Sequence, residues 1–221
     1  MRTPQHPTIV PTILVKGERE FRDRVRAVAG VAPIVHIDVM DGAFVPRRTW
    51  ANPKVIAKLR GAVRFAVHLM VREPSPILAA WAKIARVETI IVHAGATKRL
   101  PELLADVHLT GKRVGLAVNP ETPLYQILPA LPYADEVLLM ANAPGFSGRP
   151  FLPKTLARIA TLRSRAPELV IGVDIGVNLE TAPQIAAAGA TYAAAGSAIF
   201  DAEDPARAYR ALVRAFQGGR G

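Results

Sequence analysis

The sequence predicts an α/β chain folded as a single (β/α)8 TIM barrel across residues 1–221. Three observations carry this prediction. Eight short β-like runs alternate with helix-like segments along the whole chain. A length of 221 residues suits eight such units joined by short loops. The first strand runs into Val15-Lys16-Gly17, which lacks the G-x-G-x-x-G turn of a doubly wound sheet.

The β-like runs are Thr8–Leu14, Ile34–Val39, Val63–Leu69, Thr89–His93, Arg113–Val118, Glu136–Met140, Leu169–Asp174 and Ala190–Ala194. Each is apolar and short, as expected of strands covered on both faces. Between them lie segments with apolar residues at helical spacing. In Pro74–Arg86, Ile77, Leu78, Trp81 and Ile84 recur three or four residues apart and form one face. Lys98–Leu109 and Asn178–Ala188 read the same way. Pro123 and Pro153 mark helix starts, where a missing N–H costs nothing. No linker or low-complexity tract divides the chain.

Half the residues are hydrophobic and 21% are charged, which excludes disorder and permits a large core. Cysteine is absent, which excludes disulfide scaffolds, thiolate metal sites and Cys nucleophiles. Any metal must therefore be held by His, Asp or Glu. The N-terminal MRTPQHPTIV has no apolar run of signal-peptide type, and Ala186–Phe200 is too short and too glycine-broken to span a membrane. A soluble, cytoplasmic protein without a membrane partner is expected. The net charge of +10 invites a nucleic-acid reading, but the basic residues are scattered. Lys16–Arg26 interleaves Glu18, Glu20 and Asp23 and reads as a solvated helix face. The two Trp and four Tyr do not interleave with basic clusters as a stacking platform requires, so no nucleic-acid partner is expected. The positive field instead suits an anionic small molecule such as a sugar phosphate.

In a barrel, function sits at the carboxyl ends of the strands. His36 and Asp38 are two apart on the second strand, so both side chains share one face. His68 lies near the end of the third strand, His93 ends the fourth, and Asp174 ends the seventh. One such residue is commonly a satisfied polar group closing a loop. Two imidazoles and two carboxylates converging on one mouth make a site for one divalent cation of the Zn²⁺, Fe²⁺, Mn²⁺ or Co²⁺ kind. Glycine-bearing stretches follow the sixth strand (Ala143–Gly148) and the eighth (Ala195–Phe200). Gly176, Gly196 and Ser197 stand where barrels bind phosphate through backbone N–H groups, although such glycines also serve simply as tight turns. Met40, Met70 and Met140 sit at or just past strand ends, either as core filler or as an apolar wall against substrate.

Several motifs together resemble the ribulose-phosphate 3-epimerase family: VHIDVMDGAFVP at 35–46, VHLM at 67–70, NPETP at 119–123, PGFSGRPF at 144–151, VD at 173–174 and AGSAIF at 195–200. The resemblance runs from about Pro11 to Pro205. It implies a barrel of the ribulose-phosphate-binding type with one divalent metal and a ketose phosphate substrate. His36, Asp38, His68 and Asp174 would be the metal ligands, and Asp38 and Asp174 also the acid/base pair. Thr12, His68, Gly145, Phe146, Ser147, Gly148, Gly176, Gly196 and Ser197 would contact substrate. The implied reaction is epimerisation at C3, D-ribulose 5-phosphate to D-xylulose 5-phosphate, through a metal-stabilised enediolate, in an enzyme expected to be a homo-oligomer of carbohydrate metabolism and the pentose phosphate pathway.

The chain departs from the family pattern at several points. Ile175 stands where a glycine is usual after the seventh-strand Asp, and strain is expected if φ is positive there. Ser147 and Arg149 replace the usual Gly and Gln of the PGF loop, with Arg149 either contacting phosphate or facing solvent. Val15-Lys16-Gly17 and Gly95 are further departures. Two other readings therefore stand beside the first. One is a 3-epimerase of a hexulose 6-phosphate such as allulose 6-phosphate. The other is a non-catalytic sugar-phosphate-binding paralogue.

Overall fold

The computed structural model describes residues 8–220; the MRTPQHP stretch read at the N-terminus and Gly221 lie outside the described residues. Eight strands form the barrel: β1 (Ile9–Ile13), β2 (Ile34–Met40), β3 (Arg64–Met70), β4 (Val87–His93), β5 (Arg113–Val118), β6 (Glu136–Met140), β7 (Val170–Asp174) and β8 (Tyr192–Ala195). All pair in parallel and in sequence order, and β8 returns to pair with β1. The predicted strand bounds agree with these to within two residues.

The helices are α1 (Glu18–Val28), α2 (Pro53–Ala57), α3 (Ser75–Ala82), α4 (Leu100–Leu109), α5 (Lys154–Arg165), α6 (Thr181–Ala187), α7 (Ser197–Phe200) and α8 (Pro205–Gly218). Three differences from the sequence reading have local causes. The crossover starting at Pro123 is two 3₁₀ turns, Leu124–Gln126 and Leu128–Tyr133, because Pro129 and Pro132 cannot donate to an α-helical ladder. The helix expected from Asn178 begins at Thr181, because the Asn178 side chain accepts from the N–H groups of Glu180 and Thr181 and makes a turn. The helix expected to run to Arg86 ends at Ala82, and a turn carries Ile84 into the core. Among the described residues, no helix is long and apolar enough to cross a membrane.

Strand alternation divides the core into two. Ile9, Ile13, Val35, Ile37, Val67, Leu69, Ile90 and Val92 face outward and pack with Phe21, Ile56, Leu78, Trp81, Leu104, Ile159 and Phe216 from the surrounding helices. Val10, Ile34, Ala66, Ile91, Ala117, Leu138, Met140 and Tyr192 face inward and fill the barrel. At the amino-terminal end of the barrel, Glu136 is buried and accepts a hydrogen bond from the Tyr192 hydroxyl at 2.7 Å, with Arg113 3.7 Å away. Burial pushes the Glu136 carboxyl above its usual range. This polar plug lies at the strand starts, away from the strand ends where function is expected.

The chain leaves β7 through two consecutive left-handed residues, Ile175 (φ 78°) and Gly176 (φ 73°). Glycine adopts this region freely; an L-residue with a Cβ loses about 1–2 kcal/mol there. The expected strain at Ile175 is therefore present. Its backbone is held from both sides: the Asp174 carbonyl accepts from Ala141 N–H at 2.8 Å, and the Gly176 carbonyl accepts from the Thr181 hydroxyl at 2.8 Å. A Cβ on Gly176 would lie 2.3 Å from the Phe151 backbone nitrogen. Gly176→Ala is expected to lower unfolding free energy by about 2 kcal/mol or more, from backbone strain plus overlap with a neighbour that cannot swing aside. Gly95→Ala, where an added Cβ meets nothing within 4 Å, serves as the control. Denaturant titration of both variants checks the contrast.

Candidate metal centre and active site

Strand register gathers the polar residues. The β2–β3 pairing sets Asp38 opposite His68 and Met40 opposite Met70. The β1–β2 pairing sets Thr12 opposite His36, and the β6–β7 pairing sets Met140 opposite Asp174. Because His36 and Asp38 share a face, both enter the barrel from one strand. His36, Asp38, His68 and Asp174 thus meet at one mouth, each buried, with one ligand atom from each lying within 4.8 Å of the others. His68 Nδ1 is 3.1 Å from Asp38 Oδ1 and 3.9 Å from Asp174 Oδ2, and His36 Nε2 is 3.3 Å from Asp38 Oδ1.

The two carboxyls respond to this environment in opposite ways. Burial opposes ionisation of Asp38, but hydrogen bonds and charge from His36 and His68 outweigh it and hold the group below the usual carboxylate range. Burial pushes Asp174 up to about 7, and the nearby Asp38 charge adds to the rise. His36 is raised: burial lowers it, and the carboxylates of Asp38 and Asp174 more than compensate. His68 is lowered by burial and by the neighbouring His36.

The donor set fits a divalent cation. Both ring nitrogens of His36 are buried and neither makes a well-formed hydrogen bond, Nε2 only approaching Asp38 Oδ1 at 3.3 Å, although buried polar atoms normally find a partner. Two imidazoles and two carboxylates are a mixed N/O set suited to a first-row divalent ion. A cation among them would also remove the repulsion that keeps Asp174 protonated.

His93, noted in the sequence only as a strand-end histidine, belongs to this centre. Its ring stacks on His68 at a centroid distance of 4.8 Å, and the two Nε2 atoms are 2.7 Å apart. Only one proton fits between them, so one Nε2 donates and the other accepts. His93 Nδ1 and Asn119 Oδ1 are both buried without partners, and Asn119 is close enough to bias the His93 ring. Two proton arrangements fit these distances. In one, His68 Nδ1–H donates to Asp38 Oδ1 and His93 Nε2–H donates to His68 Nε2. In the other, His68 Nε2–H donates to His93 and the His68 Nδ1 lone pair is free for a cation. Burial and His68 hold His93 well below the ordinary imidazole value, which keeps it neutral. The motif signal for this role was present, but contact between β3 and β4 side chains follows only from the barrel's register.

Above the centre the mouth encloses about 540 Å³, part of it open to solvent. Thr12, Asp38, Asp174, Gly145, Phe146, Ser147, Gly148, Gly176, Gly196 and Ser197 all line it. His36 and His68 lie beneath, fully buried. Met40, Met70 and Met140 line the mouth and are themselves buried, so both the core and the wall readings describe them. Thr12 Oγ1 is buried without a partner, a free polar atom facing the pocket. Arg149 lies over the Phe146 ring at 3.9 Å, and Arg47 lies over the same ring at 4.4 Å. Arg24 was missed: α1 reads as a solvated face, and the Arg22–Glu18 and Arg24–Glu20 ion pairs agree, yet Arg24 also lines the mouth with Gly196 and Ser197. No spacing in the sequence signals that reach.

Fold and site together define a barrel enzyme with paired carboxylates in a candidate metal centre. A family model described as the ribulose-phosphate 3 epimerase family matches residues 8–200. The chain is 37% identical over 213 residues to a ribulose-phosphate 3-epimerase of Mycobacterium leprae, covering 94% of each chain. It is 36% identical over 208 residues to that of Bacillus subtilis, covering 90% of this chain and 95% of the other. The chain belongs to the ribulose-phosphate 3-epimerase family, isomerases that act on carbohydrates. Among solved structures, 3-hexulose-6-phosphate synthase from Salmonella typhimurium superposes with a TM-score of 0.72 at 15% identity, covering 96% of this chain and 99% of that one, a likeness of fold alone.

Two measurements test the centre. His93→Phe is expected to weaken binding of Zn²⁺ or Mn²⁺ by about tenfold or more in a chelator competition, because His68 loses the partner that fixes its tautomer. In chelator-treated protein, Asp174→Asn is expected to gain stability over the parent as pH rises from about 4 to 8. The sign follows from the raised carboxyl. A group easier to protonate when folded destabilises the fold once pH exceeds its ordinary value, and the cost is full above the raised one. Thermal melts at both pH extremes read the difference.

Proposed function

We propose that this protein is a metal-dependent 3-epimerase of a ketose phosphate, interconverting D-ribulose 5-phosphate and D-xylulose 5-phosphate. The observation that carries the proposal is the Asp38–Asp174 pair, two buried carboxyls that reach one mouth from strands three apart in the ring. The names of the 37% and 36% identical relatives support the same substrate.

Inversion next to a ketone needs a proton removed on one face and another delivered on the opposite face. Asp38 stands on β2 and Asp174 on β7, three strands apart around the eight-stranded ring. Asp38, ionised by its histidine partners, is the base for one face. Asp174, whose carboxyl burial pushes up to about 7, is the acid for the other, and reversal of the reaction exchanges the roles. His36, Asp38, His68 and Asp174 would hold one divalent cation of the Zn²⁺, Fe²⁺, Mn²⁺ or Co²⁺ kind, which when bound supplies Lewis-acid stabilisation of charge developing on substrate oxygens. Met40, Met70 and Met140 exclude water from the reacting carbon and strengthen the surrounding electrostatics. Thr12 has a free hydroxyl for a substrate oxygen. Gly176, Gly196 and Ser197, with Arg24 beside them, are assigned to the phosphate. Gly145, Phe146, Ser147 and Gly148 cover the sugar, and His68 bounds it from below. The same proposal includes a cytoplasmic homo-oligomer with neither nucleic acid nor membrane as partner.

Asp38→Asn and Asp174→Asn are each expected to lower kcat by about a hundredfold or more with the fold intact by circular dichroism. Chelation is expected to abolish activity and a divalent metal to restore it. The parent enzyme should incorporate solvent deuterium at C3 of D-ribulose 5-phosphate. Near-normal turnover in either variant removes that residue from the mechanism, and absence of deuterium exchange removes the mechanism itself.

A further inference from the structure

We infer that Ile175 is a specificity-determining residue, whose side chain narrows the site and sharpens its preference for a five-carbon over a six-carbon ketose phosphate beyond what the glycine usual at this position would give. The inference rests on the epimerase reading above and goes beyond it to the choice of substrate.

Ile175 lines the mouth between Asp174 and Gly176, and its side chain packs against the inward-facing cluster that includes Met140. It therefore stands between the carboxyl assigned to C3 and the backbone assigned to the phosphate. Both ends of that interval are fixed. Asp174 Oδ1 accepts the Ile175 N–H at 2.8 Å, and the Gly176 segment is tied to Thr181 and closed against the Phe151 backbone. A ketopentose phosphate spans the interval from C3 through C4 and C5 to its phosphate oxygen. A hexulose phosphate has one carbon more, and with both ends fixed that carbon must bow sideways into the mouth wall. Ile175 supplies that wall on the β7 side.

The backbone makes this choice of residue informative. At φ 78° a glycine would be unstrained, and the turn's hydrogen bonds are made by main-chain groups that glycine also has. Nothing in the turn's own geometry favours a β-branched residue. What isoleucine adds is apolar volume at the pocket lining, packed on the inward-facing cluster. A strained position at a ligand site points to a functional reason for the side chain.

The test compares kcat/KM for D-ribulose 5-phosphate and for D-allulose 6-phosphate in the parent, Ile175→Gly and Ile175→Ala, together with the melting temperature of each. The expected result is a parent that prefers the pentulose. In Ile175→Gly the hexulose-to-pentulose ratio rises by about tenfold or more, the scale on which apolar pockets discriminate a methylene-sized difference. Ile175→Ala is expected to move the ratio in the same direction by less. The glycine variant is expected to melt no lower than the parent, which separates a change in pocket from a damaged fold. An unchanged ratio in a folded Ile175→Gly protein overturns the inference while leaving the epimerase reading intact, and so does a parent that prefers the hexulose. A metal-loaded parent inactive on both sugars overturns the epimerase reading and this inference with it.

Discussion

Two carboxyl groups in one nearly dry cavity cannot both be charged unless something positive lies between them. That constraint organises the mouth of this barrel. Asp38 and Asp174 enter from strands three apart in the ring, and burial denies both of them water. The conflict is resolved unequally. Asp38 has two histidine partners and keeps its charge; Asp174 is left with the proton. His36 and the His68–His93 pair place nitrogen donors beside the carboxyls, and a cation held there would let both ionise. The pH response of the centre follows from this single electrostatic problem.

The barrel keeps this problem away from its own stability. The outer shell between strands and helices is almost wholly apolar, and the inward layers below the mouth are filled with aliphatic side chains closed by the Glu136–Tyr192 plug. Polar residues on the same strands, such as His36 and Asp38 on β2, reach only the final turn of the interior. Alternation on a strand makes this possible, because residues two apart share a face while their neighbours remain in the shell. Changes at the mouth are thereby free to alter chemistry without emptying the core.

Much of this was legible in the sequence. Strand positions were clear because each is a short apolar run, and HIDVMDGAFVP placed two candidate ligands on one face of a strand by parity alone. Other features needed three dimensions. The 3₁₀ crossover at Leu124–Tyr133 depended on prolines whose effect is local but whose neighbourhood still read as helical. Arg24 sits on a helix whose charge pattern describes a solvated face, and only its position beside the β8 loop brings it to the mouth. His93 could be seen as a strand-end residue, but its contact with His68 is set by β3–β4 register. The strain at Ile175 was a conditional expectation, since a sequence shows which residue departs and not the dihedral it must adopt.

The seam between β8 and β1 has a consequence for how the chain comes into being. Ile9, Val10 and Pro11 pair with Ala193, Ala194 and Ala195, joining the first strand of the barrel to the last. As the polypeptide leaves the ribosome, the first of these strands to emerge keeps one hydrogen-bonding edge bare until the last is made. A nascent chain must therefore shelter that edge until β8 exists, and a molecule stalled before Tyr192 would present an adhesive ribbon to its neighbours instead of a finished cylinder.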